Sequence, residues 1–527
     1  MIRRHALALM LVTATIAGCG GKQPTDSTGA RAGAHGEFAD NPLLAFVPSD
    51  TPYAFATFKP IPLDYMSKLS DAIKPIWSKA FDQMGEDQQK MWRAFTDEIG
   101  PLDAKRFDEL GFSTKARFAL YGLGAYPVMR LEITSGDRVF ALVGRLAARL
   151  EVPLPAPKQR GDRRYWTLDL KAMTVLIALG KTELVVSVGP HSFIDSNLAL
   201  ILGEQRAAKS ITTSVFRDIA KRDGYSDQGV GFVDLARVGQ LAGAAAGIDA
   251  GCQGVVGEIA AKVPRLTLGY DDFTTHKIAM GIVLEFAPDL AAETRSLAAP
   301  LAGFDKLLEQ RPLFAVAVSG NVDHARGLAT KLSGYLREVD KRCPVPGMTD
   351  VAQSLGEIGA APLPAFATGI HGGILVANEL QMPHGFSGKP EKIDGYAVIR
   401  MDHADDLLKM VASQLPGIEA SADGKPHPLP ALLGFPGSFA AHPDALALAL
   451  GSNSDARAVD ILGGTPVTAP LLFMEYDYTR LFDLILADKH DAESEMSRAM
   501  VKLFGLATIQ VLVDERGLVS WFSFELK

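Results

Sequence analysis

Cysteine is scarce: the 527-residue chain carries three, Cys19, Cys252 and Cys343. No two of them form a Cys-x-x-Cys pair, so zinc-ribbon and thioredoxin-type chemistry lose their usual signal. A basic cluster is also missing. Lys and Arg total 53 against 61 Asp and Glu, and without a basic footprint to neutralise phosphates the chain is not expected to bind nucleic acid. After the first twenty residues no apolar run reaches the ~20 residues that a spanning helix needs. There is no Gly-x-Ser-x-Gly elbow, no His-Glu-x-x-His helix and no phosphate loop, which withdraws support from the common hydrolase, metalloprotease and nucleotide-binding routes. No catalytic residue, metal site or cofactor is expected.

Hydrophobic residues make up 47% of the chain and charged residues 22%, proportions that suit a buried core. The length allows two to four domains. The beginning is different in kind. Met1 to His5 form a short basic head, and Ala6 to Ala17 is an apolar run ending in small residues, the layout of an export signal. Twelve helical residues rise ~18 Å against an apolar bilayer core of ~30 Å, too short for a permanent anchor.

The end of that run, Ile16-Ala17-Gly18-Cys19, resembles the lipobox of bacterial lipoproteins. The resemblance implies removal of residues 1–18 as a signal peptide and lipid attachment at Cys19, with a diacylglyceryl group on the thiol and an acyl (palmitate-type) chain on the new amino group. It also implies a cell-envelope location facing the periplasm or the surface. Gly20 stands where an Asp would favour inner-membrane retention, so the outer membrane is expected. Two or three acyl chains, at about 0.8 kcal/mol per buried methylene, attach the protein to the membrane without a further helix. Residues 19–42, poor in large apolar side chains, read as a flexible tether. Losing Arg3 and Arg4 with the leader leaves 51 basic against 61 acidic residues.

Along the body a faint internal duplication is legible. Tyr126-Pro-Val128-Met129-Arg130-Leu131-Glu132 matches Tyr396-Ala-Val398-Ile399-Arg400-Met401-Asp402, and each precedes a helical pattern. Leu184 to Gly189 followed by Ile201-Leu202-Gly203 matches Leu446 to Gly451 followed by Ile461-Leu462-Gly463. Terminal hairpins, Leu266 to Phe286 and Ala507 to Leu526, and openings, Pro52 to Phe58 and Pro312 to Val318, keep the same order. The expected organisation is therefore a first half over 43–287, a helical linker over 288–310 and a second half over 311–527. Strands arrive in adjacent pairs joined by short polar turns, and Phe522, Phe524 and Leu526 alternate with Ser523 and Glu525. The fold class expected is α+β, each half an antiparallel sheet packed by helices. The opening Phe46-Val47-Pro48-Ser49-Asp50-Thr51-Pro52 resembles the start of uncharacterised bacterial envelope proteins built of strand–helix–hairpin repeats, which implies the same architecture and no particular chemistry.

Other candidates have plain structural readings. Gly239, Gly243 and Gly247 lack the spacing of a dinucleotide fingerprint and suit close helix packing. His371, His384 and His403 fall at turns without a helical i, i+4 pair or carboxylate motif. Glu475 and Asp477 lie at strand spacing and face the same way, suiting either an acid/base pair or the polar outer face of a strand, and the outer face is preferred.

With Cys19 lipidated, Cys252 and Cys343 remain in a chain sent to an oxidising compartment, where an even remainder tends to pair. A disulfide between them is expected, closing a loop of about ninety residues across the two halves and contributing about 4–5 kcal/mol on the chain-entropy model. The alternative is two buried reduced thiols. Two functional classes stay open: a non-catalytic envelope module that binds another envelope protein or a small apolar ligand, and a hydrolase of cell-wall or lipid substrates with a dispersed active site.

Overall fold

A computed structural model of the chain describes residues 38–60, 86–100, 103–151, 153–245, 250–344, 347–363, 369–382, 390–414, 421–432, 435–451, 454–487, 494, 497–498 and 501–527. The leader, Cys19 and the tether up to residue 37 lie outside the described residues. Runs of alternating small and branched apolar residues form strands throughout, and every strand pairing is antiparallel. The class is α+β with a large antiparallel sheet.

The first nine strands are β1 (Tyr53–Thr57), β2 (Phe118–Leu123), β3 (Tyr126–Glu132), β4 (Lys158–Arg160), β5 (Arg163–Leu170), β6 (Met173–Leu179), β7 (Glu183–Gly189), β8 (Gly229–Asp234) and β9 (Arg265–Phe273). They lie in the order β4-β5-β6-β7-β3-β2-β1-β8-β9. A second set comprises β10 (Lys277–Glu285), β12 (Phe314–Ser319), β13 (Ile370–Gln381), β14 (Lys392–Met401), β15 (His427–Leu432), β16 (Phe435–His442), β17 (Ala445–Leu450), β19 (Leu472–Asp477), β20 (Phe504–Asp514) and β21 (Gly517–Leu526). Its order is β10-β21-β20-β19-β12-β13-β14-β17-β16-β15. Reciprocal backbone bonds between Thr274 and Lys277 close the β9–β10 turn, so the two sets meet at this hairpin.

Each set buries one face beneath helices. In the first, α4 (His191–Leu202) and α5 (Thr213–Asp223) bring Ile194, Ile201, Phe216 and Ile219 onto Ala54, Tyr121, Val128 and Val185. In the second, α9 (Phe304–Leu308) and α13 (Ser454–Leu462) bring Phe304, Leu307 and Ile461 onto Ala317, Ile374, Val398 and Phe473. Complete burial of each Val, Leu, Ile or Phe side chain among them contributes about 1.5–3 kcal/mol. The first set is covered on its other face as well, by α3 (Gly136–Arg149). Ser135 caps that helix by accepting from the Arg138 amide at 3.3 Å, Asp137 occupies its first turn and Arg149 its last, placements that suit the helix dipole. Its Val139 and Val143 pack onto Met129, Trp166, Val175 and Ile177.

The structure corrects two boundaries read from sequence. The tether does not extend to residue 42, because Phe38 is buried with its ring 4.9 Å from that of Phe58. The buried Asn41 caps the 3-10 helix Pro42–Phe46 and donates to the carbonyls of Thr57 and Phe118. A single aromatic and a single amide, inconspicuous in composition, fix this stretch. The segment 288–310 is not a purely helical linker either. Helix α8 (Pro288–Arg295) is followed by β11 (Leu301–Ala302), which pairs with β18 (Pro466–Val467), and Leu301, Phe304 and Leu307 belong to the second core. Strand β10, read as the close of the first half, is bonded along its length to the last strand, from Lys277 opposite Glu525 to Glu285 opposite Gly517.

Candidate functional site

Of the residues singled out by sequence, Cys252 and Cys343 lie together and are disulfide-bonded, with Cα atoms 4.9 Å apart, well inside the ~7 Å limit for a bridge. Cys252 sits on α7 (Ala250–Lys262), and Cys343 caps the C-terminus of α10 (Val322–Arg342). Val255 and Val339 surround the sulfurs, and Arg342 forms two hydrogen bonds to Glu258 beside them. A Cβ on Gly239 would come 2.5 Å from Val256 of α7, so α6 (Leu235–Ala245) packs closely there. Gly247 lies outside the described residues.

The histidines do not converge. His371 meets Asp402 at 3.0 Å, and His384 lies outside the described residues. His403 stands near Asp405 and Asp406 on an exposed turn, but Lys409 already bonds to both carboxylates. His191 approaches Thr174 at 3.1 Å, yet that hydroxyl is buried and donates to Asp169. The other ring nitrogen of His191 lies 3.6 Å from Asp195, and both of those side chains are 67% exposed, so this hydroxyl, imidazole and carboxylate meet on the open surface.

Glu475 is a correction to the preferred reading, since it is 6% exposed rather than part of a solvated outer face. It shares the covered face with Phe473 and accepts from the Thr508 hydroxyl at 3.5 Å. Burial pushes its carboxyl up to about 7, against the opposing pull of Thr508 and of the Arg311 charge. Asp477 does not join it in a pair. That carboxylate caps α14 (Tyr478–Ile485), accepting from the Arg480 amide at 3.0 Å.

Two buried arginines organise the two cores. Arg130 on β3 donates to the carbonyls of Leu200 and Ile201 at the C-terminal end of α4, to Tyr121 at 3.1 Å and to Glu183 at 2.6 Å, with its guanidinium 4.0 Å from the Phe46 ring. Arg400 on β14 donates to Ile461 and Leu462 at the end of α13, at 2.8 and 2.7 Å. In both, a cation meets the orphan carbonyls and negative pole of a helix end. Among the described residues Arg400 has no buried counter-ion. The Asp444 carboxylate is 3.7 Å away and 70% exposed, and Nε has no hydrogen-bond partner. Desolvation lowers the Arg400 pKa, with Asp444 opposing.

The feature that sequence reasoning missed is the other face of the second sheet. Three cross-strand rows run over β19, β12, β13, β14 and β17. They are Leu472-Val318-Gly373-Ile399-Leu446, Met474-Val316-Leu375-Ala397-Leu448 and Tyr476-Phe314-Ala377-Gly395-Leu450. At strand spacing this array measures about 19 Å across and about 14 Å along. It holds no charged side chain, and the Tyr476 hydroxyl is its one polar group. Val318, Leu375, Ile399 and Leu448 are 48, 51, 40 and 38% exposed. At roughly 270 Å² the array is comparable to the largest apolar patch of an ordinary soluble monomer, a patch that often has a function. The contrast with the first sheet is direct: Met129 and Ile399 each precede the buried arginine, but Met129, beneath α3, is 6% exposed. Helix α12 (Ala404–Gln414) covers one edge, where Leu408 meets Phe439 and Ala441 and the row-end Leu446 packs against them, and Tyr478 of α14 lies 5.9 Å from the Tyr476 ring at another corner. In sequence the signal was present as near-continuous apolar strands, which a sheet covered on both sides explains equally well.

A separate 420 Å³ recess is lined by Gln89, Lys90, Arg93, Ala94, Asp97 and Arg149. Lys90 pairs with Glu151, and Arg149 with Asp97 and Glu98. No protein-family profile, curated protein or solved structure matches the chain, and no helix among the described residues is long and apolar enough to cross a membrane.

Proposed function

We propose that the protein is a lipid-anchored lipoprotein of the bacterial cell envelope whose folded body is a non-catalytic module that binds an apolar partner. The observation that carries the binding reading is the uncovered face around Val318, Leu375, Ile399 and Leu448. The anchor reading rests on Ile16-Ala17-Gly18-Cys19 after a basic and then apolar leader, with Gly20 favouring the outer membrane.

The body is further proposed to consist of two related halves. Support comes from matched strand orders and from the two arginines on helix ends. Following the pairing outward, Val128, Tyr121, Ala54 and Phe232 occupy one buried row, and Val398, Ile374, Ala317 and Phe473 another. On that correspondence Asp234 is the counterpart of Glu475, and the opening strands shift by about three residues from the match read in sequence. Strands β10 and β21 would then pair across a pseudo-two-fold axis near Gly281 and Trp521, with one half's face covered and the other's left for a ligand.

An anilinonaphthalene sulfonate titration tests the binding reading. The folded protein should enhance the dye's fluorescence, and Leu375→Glu with Ile399→Glu, folded by circular dichroism, should lose most of the enhancement. An unchanged signal in that variant would remove the face from the proposal.

A further inference from the structure

On the reading of the open face as a binding site, we propose that its partner is a second copy of the chain, which seats its helix α11 (Met348–Ala360) there while its own open face receives α11 of the first. The eight large apolar side chains that stand exposed among the described residues all lie on the second sheet and its connections. Four are on the open face and Met410 is on α12. The other three, Val351, Ile358 and Leu363, are on α11 and its exit, the first two at 53 and 56%. Helix α11 turns its small residues inward. A Cβ on Gly356 would come 2.9 Å from Arg337 and one on Gly359 2.2 Å from Thr330, both on α10, and the Ala352 carbonyl accepts from the Ser333 hydroxyl. Val351, Leu355 and Ile358, at i, i+4 and i+7, form an apolar stripe beside that contact, and a stripe of this kind ordinarily faces a core.

The chain's own α11 cannot close over its own face while α10 is fixed along its length. His324 meets the Ser296 carbonyl at 2.7 Å, Lys331 pairs with Glu293 of α8, Arg342 pairs with Glu258, and Cys343 is bonded to Cys252 of α7. The stripe is therefore presented to another molecule. At 1.5 Å per residue α11 is about 20 Å long, against a face about 19 Å across, and neither the stripe nor the array holds a charged side chain. Area decides between partners. A helix about 10 Å wide covers roughly 200 Å², so one helix on one face buries roughly 470 Å² over both sides, well below the ~1,000 Å² of a specific interface. A lone foreign helix stops there. A two-fold axis midway between α11 and the face forms the same contact twice, for roughly 940 Å², which with Leu363 and Met410 beside it reaches the range of a weak dimer.

Photo-cross-linking of the full chain in its own membrane tests this. With the exposed Ser354, beside the stripe, replaced by the photoreactive benzoylphenylalanine, a covalent dimer should form. Its adducts should fall on peptides of the other copy that contain Gly373–Ala377 and Gly395–Ile399, and dimers joined at both faces should be present. Leu375→Glu and Ile358→Glu, each at a side chain more than half exposed and each keeping a wild-type thermal midpoint, should each cut the dimer about tenfold, the effect of some 1.4 kcal/mol. Adducts within a single copy or on another protein, or a yield unmoved by both substitutions, would overturn the proposal. So would a ladder of higher oligomers, the product of a one-way contact. If the chain stays monomeric while the dye still reports an apolar face that Leu375→Glu with Ile399→Glu removes, the second-copy assignment fails and the binding face stands.

Discussion

Arg130 and Arg400 perform one task with different support, and their replacement should separate the two. Arg130→Met removes a cation from buried Glu183, leaving that carboxylate to Arg163 alone, and breaking a buried pair in this way costs about 3–5 kcal/mol. Arg400→Met strands no buried acid. It leaves two helix-end carbonyls without their donor, a loss of about 1–3 kcal/mol. Urea unfolding should rank the variants in that order, and equal losses would mean that Glu183 is not the deciding partner. Glu475 makes a prediction in pH. Its folded pKa, about 7, lies above an unfolded value of ~4.3, so the folded state holds the proton more tightly. The resulting stability is fully present below about pH 4 and is lost as pH rises through 7. Glu475→Gln should therefore stabilise the protein at pH 8 and change little at pH 5. A larger gain at pH 5 would contradict the assignment. The preference for a solvated Glu475 failed for a definable reason: strand spacing reports that Phe473 and Glu475 share a face, but not which of the two faces is covered.

Among the elements, the bridge between α7 and α10 has the clearest consequence. Besides the bridge, α10 and its neighbour α11 (Met348–Ala360) meet α7 through Val255, Val339, Ile259, Tyr335 and Met348 around Cys252 and Cys343 and through the Arg342–Glu258 pair. Replacing both cysteines by serine should cost about 4–5 kcal/mol on the chain-entropy model for a separation of 91 residues. Hydrogen exchange should show the loss first in these helices. Two thiols alkylated without reduction in the mature protein would contradict the bond itself. The cysteine pairing was legible from counting and compartment. The α+β class was legible from strand pairs and polar turns. The β10–β21 junction was not, because the apolar pattern of β10 fits pairing within its own hairpin as well as pairing with a strand more than two hundred residues away. The role of Phe38 and Asn41 was hidden for a similar reason, as each acts through a partner remote in sequence.

At the scale of the whole molecule, one proposed half spends its helices on both faces of its sheet, and the other leaves a face apolar and open. Such a surface would promote aggregation in a protein at high concentration in free solution. The proposed attachment to a membrane by acyl chains would limit that encounter and supply an apolar partner nearby. The reading of the leader rests on local features alone, a basic head, a short apolar run and a cysteine. The open face was not legible in the sequence, since coverage is a tertiary property. Mass spectrometry of the amino-terminal peptide from protein extracted out of native membranes tests the lipoprotein assignment at its root. The mature chain is predicted to begin at Cys19, with a diacylglyceryl thioether on its sulfur and an acyl group on its nitrogen. A mature chain that begins elsewhere, or that carries Cys19 as an unmodified thiol, would contradict it.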